Sequence, residues 1–154
     1  MDKNRKEQRY KRIYKQIEEL LKKSSDIQAR MNTVVAVLHH KFDYFFWTGF
    51  YCLVDEKLVV RNYQGPVACM ELAKDTGVCW AAINQKISIV VPDVEKFPGH
   101  IACDSRSKSE IVIPLKNMNN KIIGVLDIDS KELNSFDEVD KEELEKIVGL
   151  IYKK

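Results

Sequence analysis

Four cysteines carry the most reactive side chains of this chain: Cys52, Cys69, Cys79 and Cys103. Cys69, Cys79 and Cys103 lie ten and twenty-four residues apart, which fits neither a CxxC redox pair nor the usual tight spacing of zinc ligands. The reactive form of a cysteine is its thiolate, which an accessible loop with backbone donors or a nearby cation can stabilise. Thiol chemistry is therefore expected at a cysteine in such a loop.

Cys103 lies in a segment of this kind. The stretch Asp93–Ser109 shows little periodicity, and long loops inside compact domains are usually functional. Arg106 and Lys108 would lower the pKa of the Cys103 thiol, whereas Asp104 would raise it, and the sequence leaves the sum open. Cys103 is thus the candidate nucleophile.

The remaining thiol and the three histidines show no pattern of a metal or catalytic site. Cys52 lies within the aromatic segment Phe50–Val54, which predicts a buried, inert side chain. His39, His40 and His100 form no HxxxH or CxxH pattern, so a zinc site is disfavoured. We expect neither a metal nor a resident cofactor.

The elements that must position these residues follow from the hydrophobic periodicity, which alternates between helical and strand spacing. The predicted elements are a helix over Lys6–Lys23, a second from Ile27, strands over Tyr44–Val54 and Lys57–Tyr63, a helix over Thr76–Gln85, a strand over Ile87–Val91, strands over Glu110–Lys116 and Lys121–Asp129, and a last helix capped by Ser135 or Asp137. Hairpins without regular βαβ alternation predict an α+β fold, with a mainly antiparallel sheet flanked by helices.

The length of 154 residues fits one domain, predicted as an N-terminal helical pair (1–41) and a sheet core with a C-terminal helix (44–154). A hydrophobic content of 45% and a charged content of 31% are typical of globular proteins. The net charge of +2 gives no general attraction for nucleic acid or acidic membranes. The segment Met1–Lys23 is basic; it could contact phosphates, but a solvated helix face is favoured.

No apolar stretch is long enough to cross a bilayer, and no secretory signal precedes the first helix. A cytoplasmic protein is therefore expected. Thiols are normally kept reduced in that compartment, so the cysteines are expected to be reactive or buried rather than a structural disulfide set.

Taken together, six strings between Trp47 and Ser130 resemble the free methionine-(R)-sulfoxide reductases, a branch of the GAF domains. Three cysteines, an aromatic pair and three carboxylates fall in the family's order. The matching strings are Trp47–Tyr51, Gln64–Cys69, Gly77–Cys79, Gly99–Asp104, Ser109–Val112 and Gly124–Ser130.

The resemblance implies a GAF-like fold and a pocket for a free amino acid. Trp47 and Tyr51 would surround the methyl-sulfur end of the substrate, and Glu110, Asp127 and Asp129 would form the acidic side. This set suits the substrate physically, because an ammonium binds carboxylates, an S–CH3 group packs on aromatic rings and a sulfoxide oxygen needs a proton during reduction.

The resemblance also implies the chemistry. The Cys103 thiolate would attack the sulfoxide sulfur, leaving methionine and a cysteine sulfenic acid. A resolving cysteine would then form a disulfide, which a thioredoxin-like reductant would open. The predicted start of a helix at Gly77 would give Cys79 thiolate character through the helix dipole, but a helix also holds the residue rigidly. Cys69 is therefore favoured as the resolving residue, with Cys79 as partner or relay, and the opposite assignment stays open.

One departure from the family pattern is Trp80, where a small residue is usual after Gly-Val-Cys. A bulky ring there could narrow the pocket, but packing in the core is favoured. The competing functions are a non-catalytic GAF sensor and a thiol redox switch. Assembly is also open: the apolar stripe of the first helix, with the last helix, could form a homodimer interface or cover the sheet.

Overall fold

The computed structural model describes residues 2–100 and 103–154. Its helices and strands are α1 (Lys3–Leu21), α2 (Ile27–Lys41), β1 (Trp47–Val54), β2 (Lys57–Gln64), β3 (Glu71–Leu72), α3 (Gly77–Gln85), β4 (Ile89–Val91), β5 (Ser109–Lys116), β6 (Ile122–Ser130) and α4 (Glu138–Val148). The order agrees with the sequence prediction, except that the two-residue strand β3 was not predicted. A single 3₁₀ turn, Val94–Lys96, lies within the predicted long loop.

The six strands form one sheet in the order β3-β2-β1-β6-β5-β4, and every neighbouring pair is antiparallel. The central strands β1 and β6 belong to different hairpins, which join when Trp47 pairs with Asp129 and Gly49 with Asp127. This register brings residues that are about eighty positions apart in sequence to the middle of the sheet. The expected mainly antiparallel α+β architecture is confirmed.

Aspartate side chains start three of the helices. Asp2 and Asp26 accept hydrogen bonds from backbone N–H groups in the first turns of α1 and α2. At α4, Asp137 and Asp140 form a reciprocal capping box, so Asp137 rather than Ser135 begins that helix. The choice that the sequence left open is thereby resolved.

The helices divide between the two faces of the sheet. Helices α2 and α4 lie on one face and α1 packs against both, while α3 lies on the opposite face against β5 and β6. The apolar stripe of α1, from Tyr10 to Leu21, is buried in the core of this same chain. A homodimer therefore stays a prediction, and this stripe is not free to form its interface.

A buried polar network joins α1 to α4. Lys6 Nζ lies 2.7 Å from one carboxylate oxygen of Asp140, and the hydroxyls of Tyr10 and Tyr44 donate to the other at 2.6 and 2.8 Å. The side chain of Asp140 is fully buried and that of Lys6 is 7% exposed. Because each member is hydrogen-bonded, the charges are tolerated inside the core.

Most other basic residues of α1 are exposed, as expected for a solvated helix face. Within residues 2–100 and 103–154, no helix combines the length and the apolar character needed to cross a membrane.

We predict that Asp140→Ala destabilises the protein by about 3 kcal/mol or more, because it leaves the hydroxyls of Tyr10 and Tyr44 without their acceptor and leaves the buried Lys6 ammonium with the partly exposed Asp137, 3.2 Å away, as its carboxylate partner. Chemical unfolding followed by circular dichroism measures the change. Glu19→Ala is the control, since it removes a solvent-exposed ion pair with Lys22 and should hardly alter stability. Equal effects of the two substitutions would contradict the role given to the network.

Candidate active site

A cavity of about 240 Å³ opens on the α3 face of the sheet. It is lined by all eight residues that the sequence analysis assigned to the site: Trp47, Tyr51, Cys69, Cys79, Cys103, Glu110, Asp127 and Asp129. They come from β1, the β2–β3 connection, α3, the loop before β5, β5 and β6. The fold thus brings the predicted set together, while the chemical role of each member stays a prediction.

The aromatic wall of the cavity is formed by β1. The rings of Trp47 and Tyr51 stack with their centroids 5.8 Å apart, and the ring of Tyr63 of β2 also stacks with that of Trp47 at 5.3 Å. Gly49 lies between the two wall residues, and a Cβ atom there would collide with the Trp47 ring and with Tyr63. A glycine is therefore needed at this position for the indole to lie against the sheet.

The same two rings hold the segment that carries Cys69. The indole N–H of Trp47 donates to the carbonyl oxygen of Pro66 at 3.0 Å, and the Tyr51 hydroxyl donates to the carbonyl oxygen of Cys69 at 2.9 Å. Burial and the neighbouring acidic groups Asp127 and Cys79 raise the pKa of Tyr51, so its hydroxyl remains a donor. The sequence did not predict these hydrogen bonds, because they depend on how the β2–β3 connection folds back over β1.

The acidic side of the cavity lies on β5 and β6 and consists of Glu110, Asp127 and Asp129, which together form the acidic set. In the pairing of β5 with β6, Glu110 lies directly opposite Asp129. Asp127 lies two residues before Asp129 and therefore on the same face of β6. Glu110 is 5% and Asp127 6% exposed, whereas Asp129 is half-buried. Burial, and then the mutual repulsion of the carboxylates, raises the pKa of Glu110 and of Asp129, and burial also raises the pKa of Asp127.

Three carboxyl groups so close together cannot all be ionised in a buried site without a compensating cation. The site therefore either retains protons on this set or binds a positively charged group. A ligand ammonium supplies such a charge together with N–H donors.

Cys69 and Cys103 form a disulfide at the mouth of the cavity, with their Cα atoms 5.7 Å apart. Cys103 is exposed and Cys69 is half-buried. The loop of Cys103 and the β2–β3 connection thus lie close enough for direct sulfur-to-sulfur exchange. The position expected of a resolving cysteine is occupied by Cys69 in this structure.

The charges that follow Cys103 pair with each other. Arg106 donates to both carboxylate oxygens of Asp104, the closest approach being 2.7 Å, and this lowers the pKa of Asp104 to about 2. The guanidinium also lies over the ring of Phe46 at 4.9 Å. Arg106 is therefore committed to Asp104 and to fixing this loop.

Cys79 is the third residue of α3, but it does not have the thiolate character predicted from the helix dipole. It is 4% exposed, and burial followed by the charges of Asp127 and Glu110 raises its pKa well above the ordinary value. Desolvation and repulsion exceed the effect of the helix N-terminus, so that prediction is wrong.

The structure also shows the surroundings of Trp80 and of Cys52. Trp80 does not line the cavity but is buried in the smaller apolar cluster on the α3 face of the sheet. Its indole N–H donates to the carbonyl oxygen of Leu72 at 3.2 Å. The prediction of core packing is confirmed. Cys52 is half-buried on the other side of the sheet rather than fully buried as predicted; burial still raises its pKa, and it does not line the cavity.

His100 lines the cavity although the sequence analysis gave it no role. Its Nε2 atom is buried and has no hydrogen-bond partner among the described residues. Burial lowers the pKa of the imidazole, and the nearby Asp127 acts in the opposite direction. Its position three residues before Cys103, inside the string Gly99–Asp104, was the signal that could have identified it.

Side chains from three elements also form a group with the chemistry of metal ligands. One donor atom each from Cys79, Glu110 and Asp127 lies within 4.8 Å of the others, and all three residues are buried. The linear spacing did not reveal this group, because its members come from α3, β5 and β6.

Comparisons with known proteins agree with this architecture. The family model described as "GAF domain" matches residues 24–151. The chain is 49% identical to GAF domain-containing protein A of Dictyostelium discoideum over 152 residues, covering 98% of this chain and 95% of that protein.

Two further proteins carry the name of an enzyme. The chain is 40% identical to the free methionine-R-sulfoxide reductase of Escherichia coli K12 over 125 residues, covering 81% of this chain and 75% of that protein. The X-ray structure of free methionine-R-sulfoxide reductase from Neisseria meningitidis in complex with its substrate superposes with a TM-score of 0.88 at 39% identity, covering 93% of this chain and 86% of that one. The expected GAF-like fold is confirmed.

The raised pKa values of the acidic set predict how the ligand-free protein responds to pH. Above the ordinary carboxyl pKa the unfolded chain gives up protons that the folded site retains, so stability falls as the pH rises, by about 1.4 kcal/mol per pH unit for each retained proton. Glu110→Gln removes one such group. We expect its free energy of unfolding to fall less steeply than that of the wild type between pH 5 and 7, and the two proteins to differ least near pH 4.

Urea unfolding at each pH, with the disulfide in the same state in all samples, measures these slopes. Glu142→Gln is the matched control, because Glu142 is exposed on α4. If Glu110→Gln and Glu142→Gln gave the same slope as the wild type, the acidic set would not be protonated as described.

Proposed function

We propose that this chain, which belongs to the GAF domain family, is a thiol-dependent reductase of free methionine-(R)-sulfoxide. The observation that carries the proposal is a single cavity in which a buried acidic set faces an aromatic wall beside the Cys69–Cys103 disulfide. The relatives from Escherichia coli and Neisseria meningitidis that bear the name of this enzyme support it.

The cavity suits a free amino acid. The ammonium of the substrate binds the carboxylates of Glu110, Asp127 and Asp129, which otherwise repel one another in a buried site. The S–CH3 group packs against Trp47 and Tyr51, because a polarisable sulfur and its methyl group interact well with aromatic rings. A peptide-bound residue has no ammonium, so it leaves the carboxylates without a counter-charge.

Reduction requires a nucleophile for sulfur and a proton for oxygen. The thiolate of Cys103 attacks the sulfoxide sulfur, and the oxygen passes to Cys103 as a sulfenic acid while methionine leaves as the thioether. One ammonium compensates for about one carboxylate charge. Because the pKa values of the three carboxyl groups are raised, another member of the set keeps its proton. In this proposal that carboxyl group protonates the oxygen as a general acid.

The oxidised cysteine is then reduced by thiol exchange. The Cys69 thiol attacks the sulfenic sulfur of Cys103, water leaves, and the disulfide forms. A dithiol protein of the thioredoxin type opens this bond, which restores both thiols and gains the disulfide itself. No metal or organic cofactor takes part in these steps.

We predict that Cys103→Ser abolishes methionine formation from free L-methionine-(R)-sulfoxide, with at least about a thousandfold loss of activity, because a hydroxyl cannot form the sulfenic acid. Methionine is measured by chromatography with dithiothreitol as reductant. Cys52→Ser is the matched control and should keep wild-type activity, since Cys52 lies outside the cavity.

The same assay with the (S) epimer and with a sulfoxide-containing peptide tests the binding half of the proposal. Both should react far more slowly than the free (R) epimer. A wild-type protein that binds the free sulfoxide without forming methionine would instead be a sensor, and full activity in Cys103→Ser would place the nucleophile elsewhere.

The disulfide predicts the phenotype of Cys69→Ser. We expect one equivalent of methionine per chain to form without reductant, because Cys103 is intact, followed by loss of thioredoxin-supported turnover. Quenched-flow measurement of methionine and mass spectrometry of trapped sulfenic acid report the two stages. Cys79→Ser is the comparison: if it stops recycling while Cys69→Ser recycles normally, Cys79 is the resolving residue.

A further inference from the structure

The proposed reaction leaves one buried nucleophile of the cavity without a task. Cys79 is almost fully buried, yet it does not lie in the apolar interior alone, because its sulfur is grouped with carboxylate oxygens of Glu110 and Asp127. A thiol beside two carboxylates raises the electrostatic cost of the site, since all three groups become negative when ionised.

Two atoms of this region lack partners. Oδ1 of Asp127, a residue 6% exposed, and Nε2 of His100 are both buried and accept or donate no hydrogen bond within the described residues. Buried polar atoms without partners are rare in folded proteins, and a bound ion is one way in which such atoms are satisfied. His100 and Asp127 line the same cavity, and each affects the pKa of the other.

This part of the cavity contains sulfur and nitrogen donors that the binding of an ammonium does not require. An ammonium binds oxygen acceptors, and Glu110 and Asp127 supply them without help from sulfur or imidazole nitrogen. A thiolate, two carboxylates and an imidazole are instead the donors that Zn²⁺ accepts in a tetrahedral site. Metal–ligand distances of about 2.0–2.3 Å require donors spread over 4.8 Å to approach one another by roughly 1 Å.

We propose that Cys79, Glu110 and Asp127 form a Zn²⁺ site in the floor of the cavity, that His100, which lines the cavity outside this 4.8 Å group, approaches as the fourth donor, and that Zn²⁺ and the substrate ammonium exclude each other. Binding converts the Cys79 thiol to a metal-bound thiolate and releases its proton to solvent. The metal occupies the carboxylates that the ammonium needs, so it acts as a competitive inhibitor. Only this competition rests on the proposed function; the metal site does not.

Co²⁺ titration of the full-length oxidised protein tests the site, because the Cys69–Cys103 disulfide removes those two thiols as ligands. We expect near-ultraviolet thiolate-to-cobalt charge-transfer absorption that saturates at one equivalent and is displaced by Zn²⁺. Cys79→Ser should abolish this absorption, and Cys52→Ser, which removes the other free thiol, should retain it. Circular dichroism checks that each variant is folded.

Asp127→Asn provides a second, nearly isosteric test and should weaken Zn²⁺ binding by roughly tenfold or more, as measured by competition with a chromophoric chelator. Free L-methionine sulfoxide should lower the apparent Zn²⁺ affinity of the oxidised wild type, which cannot turn it over. Absence of the thiolate band in the wild type, or its persistence in Cys79→Ser, overturns the site. A band that methionine sulfoxide leaves unchanged overturns the competition, while turnover by the reduced protein decides the enzymatic function separately.

Discussion

The alternation of side chains along β5 and β6 is the constraint on which the rest of the structure depends. Ile111 and Ile113 of β5, with Leu126 and Ile128 of β6, point into the core beneath α2 and α4. The alternate positions point to the α3 face, where the acidic set lies beside the smaller apolar cluster. Stability thus comes mainly from one face of the sheet, and this allows the other to carry the buried carboxyl groups of Glu110 and Asp127 and the half-buried one of Asp129, which oppose folding when ionised.

The aromatic wall couples this site to the redox-active loop. Trp47 and Tyr51 line the cavity with their rings and hold the β2–β3 connection with their polar atoms, so the surfaces that would bind the substrate also fix the backbone of Cys69. The disulfide joins the same connection to the loop of Cys103. A ligand in the cavity and a change in the oxidation state of the two cysteines would therefore both affect the β2–β3 connection. Neither effect requires the sheet to change.

Local patterns in the sequence were sufficient for the helices, the hairpins and the choice of face, because periodicity and capping are local properties. Matching strings also identified eight of the residues that line the cavity. The error at Cys79 has a different origin: its position in α3 is local, but its burial and its distance from Asp127 depend on packing against β6. The hydrogen bonds of Trp47 and the group of metal-ligating donors were missed for the same reason, since they join segments far apart in sequence.

Burial separates the tasks of the three cysteines that line the cavity. A nucleophile must meet the substrate and later the reductant, and only Cys103 of the three is exposed. A resolving residue needs partial access and a backbone that can approach the nucleophile, which the irregular connection around half-buried Cys69 supplies. Cys79 has neither property in this conformation, because a helix fixes its backbone and burial keeps it as a thiol. A direct attack by Cys79 on Cys103 would have to start from a buried thiol on a helix, whereas Cys69 and Cys103 lie on loops that already bring their Cα atoms to 5.7 Å.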